Sequence, residues 1–221
     1  MDHHRITLHS INQPSIRSLD LNSIIQTPNQ AKELAYKTEL TDLINYEQWS
    51  SVSLRIEMYP YEASEWINVT SRSGRLARLL PLHYACERTP PIEAIKALVK
   101  ASPQSIMTPS TPALQLPLHL ACTWHAPTDV ICFLISANNE SAVLRDEYGN
   151  LPIHSACYSG TSLDVISKLM EANPKGALTK NDLDRNCLDI TRSIKHDNWK
   201  ETEKLIMEDL QKISETDLCF I

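Results

Sequence analysis

Between residues 80 and 190 the apolar positions fall into two kinds of stripe that take turns. Leu82, Ala85 and Cys86 stand at i, i+3 and i+4, and after a short break Ile95, Leu98 and Val99 form a second stripe of helical period. The pair then returns. Leu118, Ala121 and Cys122 are followed by Ile131, Leu134 and Ile135, and Ile153, Ala156 and Cys157 by Ile166, Leu169 and Met170. Each first stripe lies in one heptapeptide, Leu80–Cys86, Leu116–Cys122 or Leu151–Cys157, spaced by 36 and then 35 residues. A fourth, eroded copy follows 35 residues on, at 186–190. Proline suits a first helical position, where the missing N–H has no intrahelical partner, so Pro81, Pro117 and Pro152 predict helix starts. The second helix is closed by Pro103 or Pro174, with Asn138-Asn139 in the middle copy. Two amphipathic helices in about 35 residues cannot bury both stripes alone, so successive copies are expected to stack.

The flanks carry weaker versions of the pattern. Trp49, Val52, Ile56 and Tyr59 are helically spaced and read as the second helix of a degenerate first repeat, with 38–45 as its first helix and 64–79 as an inserted loop. Downstream, Asn198 and Glu201 have capping-box spacing ahead of Leu205, Ile206, Leu210 and Ile213, which predicts a terminal helix. The expected organisation is a flexible segment over 1–37 and a repeat domain over 38–214, followed by a tail over 215–221. Within the domain, a degenerate repeat at 38–79 precedes copies at 80–115, 116–150 and 151–185, and a degenerate terminal repeat spans 186–214.

The heptads resemble the T-P-L-H-x-A signature of the ankyrin repeat family, over roughly residues 80–190. Glu93, Asp129 and Asp164 stand where that family places an acidic residue before two aliphatic ones, and Asp146-Glu147-Tyr148-Gly149-Asn150 resembles its finger turn, with a weaker echo at 181–185. The resemblance implies an all-α helix-turn-helix solenoid of four to five repeats and a non-enzymatic, protein-binding scaffold or adaptor. It also implies that His83, His119 and His154 serve hydrogen bonding within and between units. Departures are visible. Leu80, Leu116 and Leu151 replace the family's threonine, a loss of about 1 kcal/mol of N-cap stabilisation per helix unless the leucine packs. The period is two or three residues longer, and 107–115 puts a proline-rich loop where one finger turn belongs.

Composition narrows the function classes. With only Gly74, Gly149, Gly160 and Gly176, the chain holds no phosphate-cradling glycine loop and no nucleophile elbow. A net charge of −6 argues against binding nucleic acid over the whole chain. Residues 72–100 alone are basic, with six cations (Arg72, Arg75, Arg78, Arg88, Lys96, Lys100) against Glu87 and Glu93, so a nucleic-acid or anionic-ligand contact there is the alternative reading. The first thirty residues lack a signal-peptide apolar stretch, and the longest apolar run, 130–137, is far short of the roughly 20 residues that span a bilayer. The expectation is an intracellular monomer, cytoplasmic or nuclear, with its thiols reduced.

Three His-x-x-Cys pairs (His83/Cys86, His119/Cys122, His154/Cys157) are the sharpest metal-like pattern. A zinc ion needs four donors within about 4 Å of one another, while packed helices lie about 8–10 Å apart, so no metal and no cofactor is expected. Asp182, Asp184 and Asn186 open like a calcium loop, but the sixth position is Cys187 and the twelfth Ser193, which removes that reading. If Leu82, Ala85 and Cys86 face inward, Tyr84, Glu87 and Arg88 form the next face, followed by Leu120, Thr123 and Trp124, then Ser155, Tyr158 and Ser159. This predicts an exposed first-helix ridge that binds a protein partner together with the loops at 108–115, 146–150 and 182–185, among whose residues are Asp146, Tyr148, Asp182, Asp184 and Arg185. The competing expectation for Trp124 is that it packs beneath Ala126-Pro127.

Overall fold

The computed structural model describes residues 28–70 and 76–218. In chain order, the described helices are α1 (Pro28–Lys37), α2 (Leu40–Asn45), α3 (Trp49–Met58), α4 (Pro81–Cys86), α5 (Ile92–Ala101), α6 (Pro117–Thr123), α7 (Thr128–Ala137), α8 (Pro152–Ser159), α9 (Leu163–Ala172), α10 (Cys187–Ile194) and α11 (Trp199–Leu218). Strands β1 (Ile67–Thr70) and β2 (Leu76–Leu79) form an antiparallel pair, with Ile67 opposite Leu79 and Thr70 opposite Leu76. The described chain is therefore mostly helical, with little strand.

The helices pack in two rows. The short helices α2, α4, α6, α8 and α10 each pack on the next, and so do α3, α5, α7, α9 and α11, with α1 laid against α3. One continuous cluster of buried side chains runs between the rows, from Leu40 to Ile206. The backbone repeats as well. His125, Gly160 and Lys195 take left-handed φ values of 54°, 70° and 55° in the turns between paired helices, and Leu114, Gly149 and Asp184 do so in the loops between copies, at 53°, 71° and 58°. Each triplet is spaced by 35 residues, so the eroded copy at 186–190 keeps the backbone path after losing most of its side-chain signature.

The prolines begin α4, α6 and α8, and the leucines before them have no oxygen to cap the helix. They are buried instead, and the histidine three residues on serves the leucine's own N–H. Leu80 N–H donates to His83 Nδ1 (3.2 Å), Leu116 N–H to His119 Nδ1 (3.2 Å) and Leu151 N–H to His154 Nδ1 (2.9 Å). With Nδ1 accepting, the ring proton sits on Nε2, which donates to the carbonyl of Gln115, Asn150 or Thr179 respectively. Each imidazole thus joins its own helix start to the loop that follows.

Three expectations change. Residues 28–37 are helical rather than flexible, because Ala31 and Ala35 are buried and Ala31 accepts a hydrogen bond from Ser51 Oγ. The stretch 64–79 is not a plain loop: Ile67–Thr70 and Leu76–Leu79 pair, with Val69 and Leu79 inside. The terminal helix runs to Leu218, so the tail does not begin at 215; Asn198, ahead of it, spends its amide on the Thr161 carbonyl (2.9 Å). Segment 1–27 lies outside the described residues.

Gly160 shows how tightly the turns are fitted. It adopts φ +70°, and a Cβ there would sit 2.5 Å from the His196 ring, which is held by its own hydrogen bond to the Tyr158 carbonyl (2.7 Å). Gly160→Ala is expected to cost about 2 kcal/mol, from left-handed strain together with displacement of that ring. Urea unfolding followed by circular dichroism checks the figure.

Candidate partner-binding surface

The first-helix ridge does not survive as an exposed face. Tyr84 is fully buried, and Leu120 and Ser155 are buried with it. A helical wheel leaves these positions outside a single pair of helices, but a neighbouring short helix covers them. Tyr84 Oη donates to Asn45 Oδ1 on α2 (2.8 Å), and Arg88 Nη2 donates to both Asn45 Oδ1 (3.0 Å) and Tyr84 Oη (2.8 Å) while lying 4.7 Å above the Tyr84 ring. One copy later, Ser159 Oγ donates to the Thr123 carbonyl, and Thr123 Oγ1 to that of His119. Trp124 is half-buried against the core at the end of α6. Glu87 is also half-buried, and burial pushes its carboxyl up to about 7 in spite of the adjacent Arg88. Of the ridge residues, Tyr158 remains exposed.

The loops divide differently from the expectation. Asp146 is buried and builds its turn, accepting from the N–H groups of Tyr148 (2.9 Å) and Asn150 (2.8 Å). Asn181 repeats this role 35 residues later, accepting from Leu183 (3.1 Å) and Arg185 (3.0 Å) and donating to Asn150 Oδ1 (2.8 Å). These residues position the loops and present no contact surface. Tyr148, Asp182, Asp184 and Arg185 are exposed, with Asp184 paired to Lys180.

Backbone bonds tie the loops into one rim. Arg78 and Thr111 exchange N–H···O bonds, Glu147 N–H donates to Ala113, and Asp182 N–H donates to Tyr148. Along that rim stand apolar side chains that do not belong to the first-helix ridge, several of them in the expected contact loops. Leu76 is 72% exposed, Leu183 65% and Tyr148 54%, with Leu114, Val143, Leu144 and Leu178 also exposed. Seven of the thirteen large apolar residues exposed among the described residues belong to β2 and these loops, so exposure is concentrated there. A sequence signal existed: Tyr148 and Leu183, like Val143 and Leu178, are spaced by the repeat.

Among the described residues of the basic segment, Arg78 and Arg88 are each engaged elsewhere. Arg72 and Arg75 lie outside the described residues, Arg78 stacks on Trp66 at 4.8 Å, and Arg88 is engaged with Asn45 and Tyr84. The thiols of Cys86, Cys122 and Cys187 are not activated. Burial pushes Cys86 and Cys122 well above the ordinary thiol range; a hydrogen bond with Cys157, then burial, does the same to Cys187. A nucleophilic cysteine requires the opposite shift. Among the described residues no three His, Cys, Asp or Glu side chains group as metal ligands, and no helix is long and apolar enough to cross a membrane. The chain matches no known family model and no curated protein.

Proposed function

We propose that this chain is a non-enzymatic protein-interaction module, an ankyrin-type helix-turn-helix solenoid that binds another protein through its loop rim. The observation that carries the reading is the file of exposed apolar side chains, Leu114, Tyr148 and Leu183, on loops braced to one another. Rigidly held side chains lose little entropy on binding, and an aromatic anchor such as Tyr148 is of the kind that carries most of the binding energy at protein interfaces, with the leucines supplying apolar area around it. Support for the solenoid comes from the two rows of packed helices and the 35-residue recurrence of left-handed turns. The first-helix contribution reduces to Tyr158 and the half-buried Glu87, Arg88, Thr123 and Trp124.

A photo-crosslinking residue placed at Leu183, with one at Lys96 on α5 as control, tests the assignment in extracts of the native source. Protein adducts should form from the rim position and not from α5. Tyr148→Ala combined with Leu183→Ala is expected to weaken capture of the same partner by more than about 1 kcal/mol per residue with helical circular dichroism unchanged. Equal capture by the double variant would refute the rim.

A further inference from the structure

The hairpin has one unused edge. In an antiparallel ladder a residue turns its N–H and C=O to the same side, and successive residues alternate. Arg78 exchanges both bonds with Thr111 (2.8 and 3.1 Å), so it turns away from β1, and its opposite residue Asn68 must turn away from β2. Thr70 follows Asn68 by two. The outer edge of β1 therefore presents the N–H and C=O groups of Asn68 and Thr70, both exposed, on a strand with none of the prolines, lysines or bulges that blunt sheet edges.

At the foot of this edge lies a cavity of about 330 Å³, within the range of ligand-sized sites. Ile67 lines it, together with Trp66 and the carboxylates of Glu39, Glu62 and Glu65. Its one cation, Arg55, is already spent: Nε donates to both oxygens of Glu62 (3.1 and 2.9 Å), and Nη1 donates to the carbonyls of Ala35 and Tyr36. Glu39 and Glu65 are exposed, and among the described residues no cation pairs with either. Three carboxylates against the one lining guanidinium put the lining residues at −2, with the Arg78 guanidinium stacked on Trp66 beside them. Trp66 accepts a guanidinium over its ring already, from Arg78.

We propose that the β1 edge takes an extended peptide as an added strand and that the cavity receives a lysine or arginine side chain of that peptide. Main-chain bonds to Asn68 and Thr70 supply the register, and side chains at alternate positions supply selectivity. Ile67 lines the cavity and shares its face with Val69, so the basic residue is the one on that face of the added strand. The site uses β1 and is separate from the loop rim, so either assignment can fail without the other.

The test is a titration of the full chain, labelled with ¹⁵N, with a terminally blocked hexapeptide of alternating valine and lysine. Shifts are expected at the Asn68 and Thr70 amides and the Trp66 indole, with slowed exchange of the two amides. The valine–glutamate counterpart should bind at least tenfold more weakly, as should a peptide N-methylated at alternate residues. Glu39→Gln with Glu65→Gln, two exposed positions, should weaken the lysine peptide at least tenfold, and Tyr148→Ala should leave its affinity unchanged. Absence of those shifts at millimolar peptide, shifts confined to other elements, indifference to charge reversal, or loss of binding in Tyr148→Ala would each overturn the proposal.

Discussion

Replacing His119 with alanine is expected to lower the unfolding free energy by about 3–5 kcal/mol. The ring is fully buried, accepts from Leu116 N–H at 3.2 Å and donates to the Asn150 carbonyl at 3.1 Å. Alanine strands the buried Leu116 N–H and the part-buried Asn150 carbonyl. Each unsatisfied buried group costs about 1–3 kcal/mol, and the vacated ring volume adds to that. Lys96→Ala, on an exposed position of α5, should change stability by less than about 0.5 kcal/mol and serves as the control. Urea unfolding of both variants decides the matter, and a loss under about 1 kcal/mol for His119→Ala would mean that the bond to Asn150 does not hold the copies together.

Acid should weaken the fold through the same imidazoles. Burial holds the ring of His83 down at about 4 and those of His119 and His154 below the ordinary histidine range, against hydrogen bonds that oppose the shift. A protonated ring would need a second acceptor where Nδ1 now faces an N–H. The folded chain thus binds fewer protons than the unfolded chain below pH 6.5, and stability is lost as pH falls from there through the folded value. For His83 alone the loss between pH 7 and pH 5 is about 2 kcal/mol, and the other two histidines add to it. Glu87 acts in the opposite sense: its carboxyl, raised to about 7, destabilises the fold as pH rises from about 4.5 to 7. The measurement is therefore best made in Glu87→Gln, where denaturant stability should fall by at least about 2 kcal/mol from pH 7 to pH 5. Resonances of the His83, His119 and His154 rings that titrate at pH 6.5 in the folded protein would contradict the account.

How much of this was legible depends on what each residue packs against. The helix starts at Pro81, Pro117 and Pro152 follow from local chemistry, because proline's missing N–H and fixed φ act within one turn. Tyr84 was misread as exposed because its cover is Asn45, 39 residues earlier, and a periodicity within one copy says nothing about the copy alongside. Helix α1 hides in the sequence because its buried residues are Ala31 and Ala35, and Leu34 beside them packs on the core only in part, which is too little to mark a stripe. The hairpin carries alternation at Ile67 and Val69, a signal of period two that a search at 35 residues passes over. Within the candidate surface, the three contact loops and Tyr148, Asp182, Asp184 and Arg185 were legible, and Leu114 and Leu183 lie in those loops; Leu76 was not, because 64–79 reads as a plain loop and shows no face of β2.

The direction of the imidazole bonds bears on how the chain is made. His83 finds its second partner at Gln115, His119 at Asn150 and His154 at Thr179, always 25 to 32 residues downstream. On the ribosome each unit therefore waits, its ring half-satisfied, until the next stretch has emerged. Maturation trails elongation by one repeat, and a stalled nascent chain would leave its newest copy as the one open to proteases and chaperones.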